Sequence, residues 1–293
     1  MGFWTYLING ISLGSVYALI ALGYTMVYGI AKMLNFAHGD VIMIGSYAVF
    51  MCMSNTDMPV VVSIVISILL CTCLGVVIEK IAYKPLRKAT NLAVLITAIG
   101  VSYFLQNMAL ILFGSNPISF KSVITWEGIK LAGGALSISG TAIVTIVVCV
   151  LIMVVLMWFI KSTKPGQAMR AVSEDKDAAA LMGINVNATI SLTFAIGSGL
   201  AAVAGALLCS SYPMLTPYTG SMPGIKAFTA AVFGGIGSIP GALVGGLLLG
   251  VIEILAKAYV SSQLSDAIVF AVLIVVLLVK PTGILGKVVN EKV

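Results

Sequence analysis

An all-α fold, a polytopic transmembrane helical bundle, is predicted by three features of this 293-residue sequence. Residues of the AVILMFWYC set make up 60% of it and charged residues only 9%, where soluble domains run at about half apolar and about a quarter charged. Uncharged apolar runs recur at about the 20-residue length that crosses a hydrocarbon core. Long alternating segments, which would mark the strands of an outer-membrane barrel, are nearly absent. Without water, the backbone must satisfy its own hydrogen bonds, and helices do so within one segment.

The clearest spans cover 5 to 30, 58 to 79, 90 to 113, 139 to 161 and 189 to 212. Runs at 35 to 54, 241 to 258 and 264 to 280 are also long enough. The run 223 to 235 is short, opens on Pro223-Gly224, and reads as a half-helix or re-entrant piece. The sum is about eight or nine spans by length, in one transmembrane domain covering 1–293. The first run carries no preceding Lys or Arg, unlike a secretory leader, and is expected to remain as a helix.

The formal charge of +6 does not point to nucleic acid, because the basic residues cluster in short connections and act as orientation signals. Lys80, Lys84, Arg87 and Lys88 follow the third run. Lys161, Lys164, Arg170 and Lys176 follow the fifth, and Lys280, Lys287 and Lys292 close the chain. Placing all three groups in the cytoplasm puts the N-terminus outside and the C-terminus inside. The Asp57 turn, the stretch 114 to 138 with Trp126, and Pro213 to Pro223 then face outward, with Lys121 and Lys130 as exceptions partly offset by Glu127.

The longest hydrophilic stretch lies in the segment 162–188. Pro165-Gly166 breaks the preceding span, Ser173 is placed to cap a helix with Glu174 and Asp175 in its first turn, and Gly183 is placed to stop it. One short cytoplasmic helix of about nine residues is expected between cap and stop.

Small residues four apart form ridges in several spans: Gly10, Gly14 and Ala18; Gly197, Ala201 and Gly205; Gly237, Gly241 and Gly245; Gly246 and Gly250. Such ridges let helices approach closely in lipid. Two further places interrupt the apolar pattern and carry ionisable residues: Asn35 to Asp40, with His38, and Ser221 to Lys226. They approach from opposite sides, which suggests an inverted repeat whose broken helices mark a transport path. His38 and Asp40 also fit interfacial anchoring or helix capping. Lys226 reads by default as snorkelling, with a carboxylate partner as the other possibility, and Glu253 with Lys257 reads as an i to i+4 surface pair.

Several classes are excluded by what is missing. A Walker A pattern occurs nowhere, so the chain has no phosphate cradle of that type. Cys52, Cys71, Cys73, Cys149 and Cys209 lie in or beside apolar runs and His38 is the only histidine, which leaves no metal cluster and makes the cysteines packing residues. The span interiors are nearly uncharged, unlike those of an ion-coupled carrier, and no activated nucleophile argues for an enzyme.

Three segments resemble the permeases of branched-chain amino-acid ATP-binding cassette importers of the LivH type. They are Asn9 to Gly29 running on into Leu34 to Asp40, Arg170 to Asn185, and Lys226 to Ala242, followed by the ending Pro281 to Gly286. The resemblance implies a second, LivM-like permease subunit, two cytoplasmic ATPase subunits that bind ATP and Mg, and an external binding protein delivering Leu, Ile or Val. The chain itself would bind no cofactor and sit in the plasma membrane of a prokaryote.

The resemblance also makes 162–188 an ATPase-coupling element. Asp177-Ala178-Ala179 followed by Gly183 resembles the E-A-A-x-x-x-G pattern, although the Ile-x-Leu-Pro part is unmatched. Arg170, Glu174, Asp175, Asp177, Ala178, Ala179, Leu181, Met182 and Gly183 are its coupling residues. A path for aliphatic amino acids needs small and weakly polar groups, for which Thr25, Asn35, His38, Asp40, Ser46, Lys226, Thr229 and Ser238 are candidates. A permease for urea or short amides is the alternative within the family, and a stand-alone channel or secondary carrier is the alternative outside it.

Overall fold

The computed structural model describes residues 2–56, 58–87, 89–131 and 136–286. Lys88, Lys287, Lys292 and the Asp57 turn lie outside these residues. Among them run eleven helices: α1 Phe3–Ala31, α2 His38–Asn55, α3 Val60–Ile78, α4 Asn91–Phe113, α5 Gly140–Ser162, α6 Lys164–Glu174, α7 Lys176–Leu181, α8 Val186–Ser211, α9 Ser221–Gly234, α10 Ile239–Tyr259 and α11 Ser265–Val279. Beyond α3 the chain continues in a π-helical turn, Glu79–Tyr83. Six helices are long and apolar enough to cross a bilayer: α1, α3 with its continuation to Leu86, α4, α5, α8 and α10. The helices α9 and α11, at 14 and 15 residues, are short for that task, and α2 carries His38 and Asp40 in its first turn.

The all-α expectation holds apart from two small antiparallel ladders. Ile118–Ser119 (β1) pairs with Met214–Leu215 (β4), and Ile129–Leu131 (β2) pairs with Leu136–Ile138 (β3). Connections at an end of a bundle must still satisfy their backbone groups, and short strand pairs do this where no helix can continue.

Glycine contacts hold the centre together. α1 and α10 run antiparallel with backbones nearly touching. A Cβ on Gly10 would lie 2.8 Å from Val251 Cα, one on Gly14 2.7 Å from Leu247 Cα, and one on Gly246 2.5 Å from Ala18 Cα. A Cβ on Gly250 would overlap the backbone of Gly14. Gly205 meets Ile42 of α2, a Cβ on Gly197 would lie 3.5 Å from Gly23 O in ordinary contact, and Gly241 and Gly245 pack α10 against α9. Gly237 departs from the expected ridge: it lies in the turn between α9 and α10 with φ +92, a left-handed conformation that glycine adopts freely.

The basic connections gather at one end. Lys176 Nζ donates to Ala31 O at 2.7 Å, Arg87 bonds Asn187, and Leu285 N donates to Gly234 O at 2.9 Å beside the α9–α10 turn. Hereafter this is the Ala31 end.

Candidate functional site

Two helices start inside the bundle rather than at its ends. From Lys32, whose φ of 58 terminates α1, the chain turns back as non-helical residues 32–37 and begins α2 with His38 against Gly23. At 1.5 Å per residue, Gly23 lies about 12 Å from the Ala31 end of α1. From the other side, residues 212–220 descend from α8 and begin α9 at Ser221. The two starts touch: a Cβ on Gly39 would lie 2.6 Å from Gly220 O, and one on Gly224 2.9 Å from Gly39 Cα. Two helix N-termini, each the positive end of a helix dipole, therefore converge inside the bundle, with His38 N, Asp40 N, Ser221 N and Gly224 N bonded to the carbonyls of the turns that precede them.

Polar side chains collect at this junction. Gln106 Nε2 of α4 donates to Asp40 Oδ1 at 2.9 Å and lies 3.2 Å from Ser221 Oγ and 3.3 Å from Ser102 Oγ. Tyr24 meets His38 edge-on with ring centres 4.7 Å apart. His38 Nε2 and Thr25 Oγ1 are buried and have no hydrogen-bond partner among the described residues. His38 and Asp40 are both buried within the protein, so anchoring at the membrane interface does not describe them, while Asp40 does stand in the first turn of α2. Asn35 is fixed by Tyr83 OH, which donates to Asn35 Oδ1 at 2.9 Å.

The remaining path candidates stand elsewhere. Ser46 Oγ bonds back to Ile42 O and Thr229 Oγ1 to Ile225 O, both at 3.0 Å within their own helices. Ser238 caps α10, its Oγ accepting from Gly241 N at 3.2 Å. These hydroxyls satisfy local backbone, as Ser and Thr commonly do.

Lys226 does not snorkel. It is 6% exposed, and Nζ lies 2.8 Å from Glu253 Oε1 and 2.7 Å from Asp266 Oδ1. Glu253, 1% exposed, also binds Lys257 Nζ at 2.5 Å and accepts from Tyr17 OH at 2.8 Å. The expected surface pair of Glu253 and Lys257 is thus one edge of a buried network. In a low-dielectric interior an unpaired charge is costly, and mutual pairing is the available remedy.

At the Ala31 end, the polar segment folds as two helices where a single one of about nine residues is expected. Thr163 caps α6, its Oγ1 accepting from Gly166 N at 3.2 Å. Ser173 is not a cap: its hydroxyl donates to Arg170 O at 2.7 Å. Asp175, extended at φ −150, caps α7 in its place, its Oδ1 accepting from Asp177 N at 2.8 Å and Ala178 N at 2.9 Å. A carboxylate that reaches two amides and the helix dipole outcompetes a hydroxyl. Gly183 ends the unit at φ +84.

Ala179 is buried beneath this hairpin, while Arg170, Glu174, Asp177 and Ala178 are exposed. Leu181 and Met182 are 90% and 82% exposed. The hairpin is tied to the spans by Lys176, whose ammonium is held below its ordinary range first by burial and then by Arg87 and Lys32. Beside it Glu79 is fully buried, pairs with Arg87 and accepts from Ser191 Oγ at 2.6 Å.

Sequence reasoning passed over Glu79, Gln106, Tyr17 and Asp266. The available signal was a polar side chain at or near an apolar run, which by default asks for a buried partner.

This architecture, a multi-pass helical membrane protein with two helices interrupted at mid-depth and a polar hairpin at one end, defines a transport permease class. The sequence model described as the branched-chain amino acid transport system / permease component matches residues 6–277, and the chain belongs to that family. It is 48% identical over 295 residues to the high-affinity branched-chain amino acid transport system permease protein LivH of Escherichia coli K12, covering 97% of this chain and 96% of that one. The corresponding protein BraD of Pseudomonas aeruginosa is 46% identical, with 98% and 97% covered. A probable LivH of Methanocaldococcus jannaschii is 29% identical, with 92% and 88% covered.

Proposed function

We propose that this chain is the membrane-spanning permease subunit of an ATP-binding cassette importer that translocates branched-chain amino acids. An external binding protein delivers Leu, Ile or Val, and separate ATPase subunits, which bind ATP and Mg, supply the energy. The observation that carries this reading beyond family membership is the pair Leu181 and Met182. Two large apolar side chains stand almost bare at the C-terminal end of α7 in a polar helical hairpin, where water exposure is unfavourable and a partner's groove would cover them.

The hairpin is well placed to transmit force, because Lys176 joins it to α1 and Arg87 joins the π-turn to the start of α8. ATPase movement at α6 and α7 would shift these spans together and rock the two halves about the α2–α9 junction. The short helices fit an inverted pair: α2 runs from the junction toward one end and α9 toward the other, and with them the chain makes eight or nine passes. The basic end is the cytoplasmic one, which leaves Phe3 outside. A LivM-like subunit completes the pore. At the junction, two helix N-termini suit a substrate carboxylate and Asp40 suits an ammonium.

Proteoliposomes holding the whole complex test the docking. Replacing Leu181 and Met182 together by Glu should leave the protein inserted and reduce ATP-driven leucine uptake to background. Uptake that survives scrambling of residues 173 to 183 rules the coupling assignment out.

A further inference from the structure

The reading as an amino-acid permease leaves unexplained why a transporter of neutral, aliphatic solutes buries the Lys226–Glu253 ion pair and rims it with the partly exposed Asp266 and Lys257. Beside them lies a pocket of about 160 Å³. It sits between α1, α8, α9 and α10, next to the start of α9 and away from the Ala31 end. Leu13 and Leu208 form its apolar wall, while Tyr17, Tyr212, Glu253 and Lys257 supply polar groups.

We propose that this pocket is a substrate vestibule that selects zwitterions by exchanging one of its own ion pairs for the two charges of the ligand. The network is neutral as built, with Lys226 and Lys257 balanced by Glu253 and Asp266. Its members are not equally held. Lys226 is enclosed between two carboxylates, whereas Lys257 pairs with one carboxylate among the described residues, Glu253, and is 35% exposed. When Lys257 swings away, Glu253 still has Lys226 at 2.8 Å and the Tyr17 hydroxyl at 2.8 Å. The exchange therefore strands no buried charge.

A ligand carrying both charges fits this geometry. Its carboxylate takes the freed ammonium of Lys257, its ammonium takes the place that Lys257 leaves at Glu253 Oε1, and its side chain lies along Leu13 and Leu208. The site stays neutral throughout. An acid lacking the amine would draw Lys257 off and leave an excess negative charge, and an amine lacking the carboxylate would displace Lys257 without repaying it. Burial penalises either imbalance. The proposal rests on the permease reading and adds to it the chemical class that the membrane subunit admits.

The test uses the complete complex in lipid nanodiscs, without the binding protein, and saturation-transfer NMR on the methyl groups of leucine, leucinamide and 4-methylpentanoate. Leucine should give the strongest transfer. Lys257→Met should weaken leucine about tenfold, as expected for a lost charge-assisted bond, and place it below leucinamide, whose single positive charge then neutralises the site, while Lys257→Arg should restore the preference for leucine. Equal transfer from all three ligands in the wild type, or unchanged leucine affinity in Lys257→Met, overturns the vestibule. ATP-driven leucine uptake by the wild-type complex with its binding protein is measured alongside. Its absence overturns the permease reading, and its presence with an indifferent Lys257→Met overturns the vestibule alone.

Discussion

α1 and α5 are both apolar and long enough to cross a bilayer, yet they occupy opposite environments. In α1, 94% of the membrane-length stretch is buried within the protein, against 17% in α5. The difference follows residue size. α1 places Gly10, Gly14 and Ala18 where another backbone must approach, whereas α5 carries Val147, Val150, Leu151, Val154 and Val155 on an exposed face. In water the more apolar helix would be the buried one. In lipid, apolarity confers no preference for the interior, and the capacity for close packing decides which helix takes the centre.

Substitutions can break this contrast at its strong end or sharpen it at its weak one. Gly250→Leu should have the largest effect, because the added side chain would meet the backbone of Gly14, which cannot move aside. Overpacking of about 3 kcal/mol or more is expected, seen as loss of the monodisperse protein in detergent. Normal yield would show that glycine contact is not what holds α1 in the centre.

Glu79→Ala probes how a peripheral span is tied to that centre. The substitution leaves Arg87 largely enclosed without its carboxylate, and about 3 kcal/mol should be lost, read as a fall in melting temperature. An unchanged melting temperature would mean that this tie contributes nothing. Val154→Leu on α5 should be the smallest change, within about 0.5 kcal/mol, since the residue is exposed. A large loss there would reveal protein rather than lipid against that face.

The long spans were legible because a stretch of apolar residues at membrane length admits few other structures. The Gly183 stop was legible too, being a local backbone property. The cap of the coupling hairpin was not, since Ser173 and Asp175 are both good caps and the choice depends on which one the chain extends. Gly237 was misplaced because a four-residue spacing looks the same in a helix and in a turn leading into one.

Composition, span pattern and motifs by themselves determined the membrane environment, the helical class and the polar segment at one end, since these depend on residues near one another in the chain. Only the tertiary structure decided the rest: that α2 and α9 begin face to face at Gly39 and Gly220, that Lys226 is paired rather than snorkelling, and that Glu79 and Glu253 are buried. The physical reason is that a charge in an apolar segment declares only that it needs a partner. Residues as distant in sequence as Tyr17 and Glu253 become that partner through packing alone.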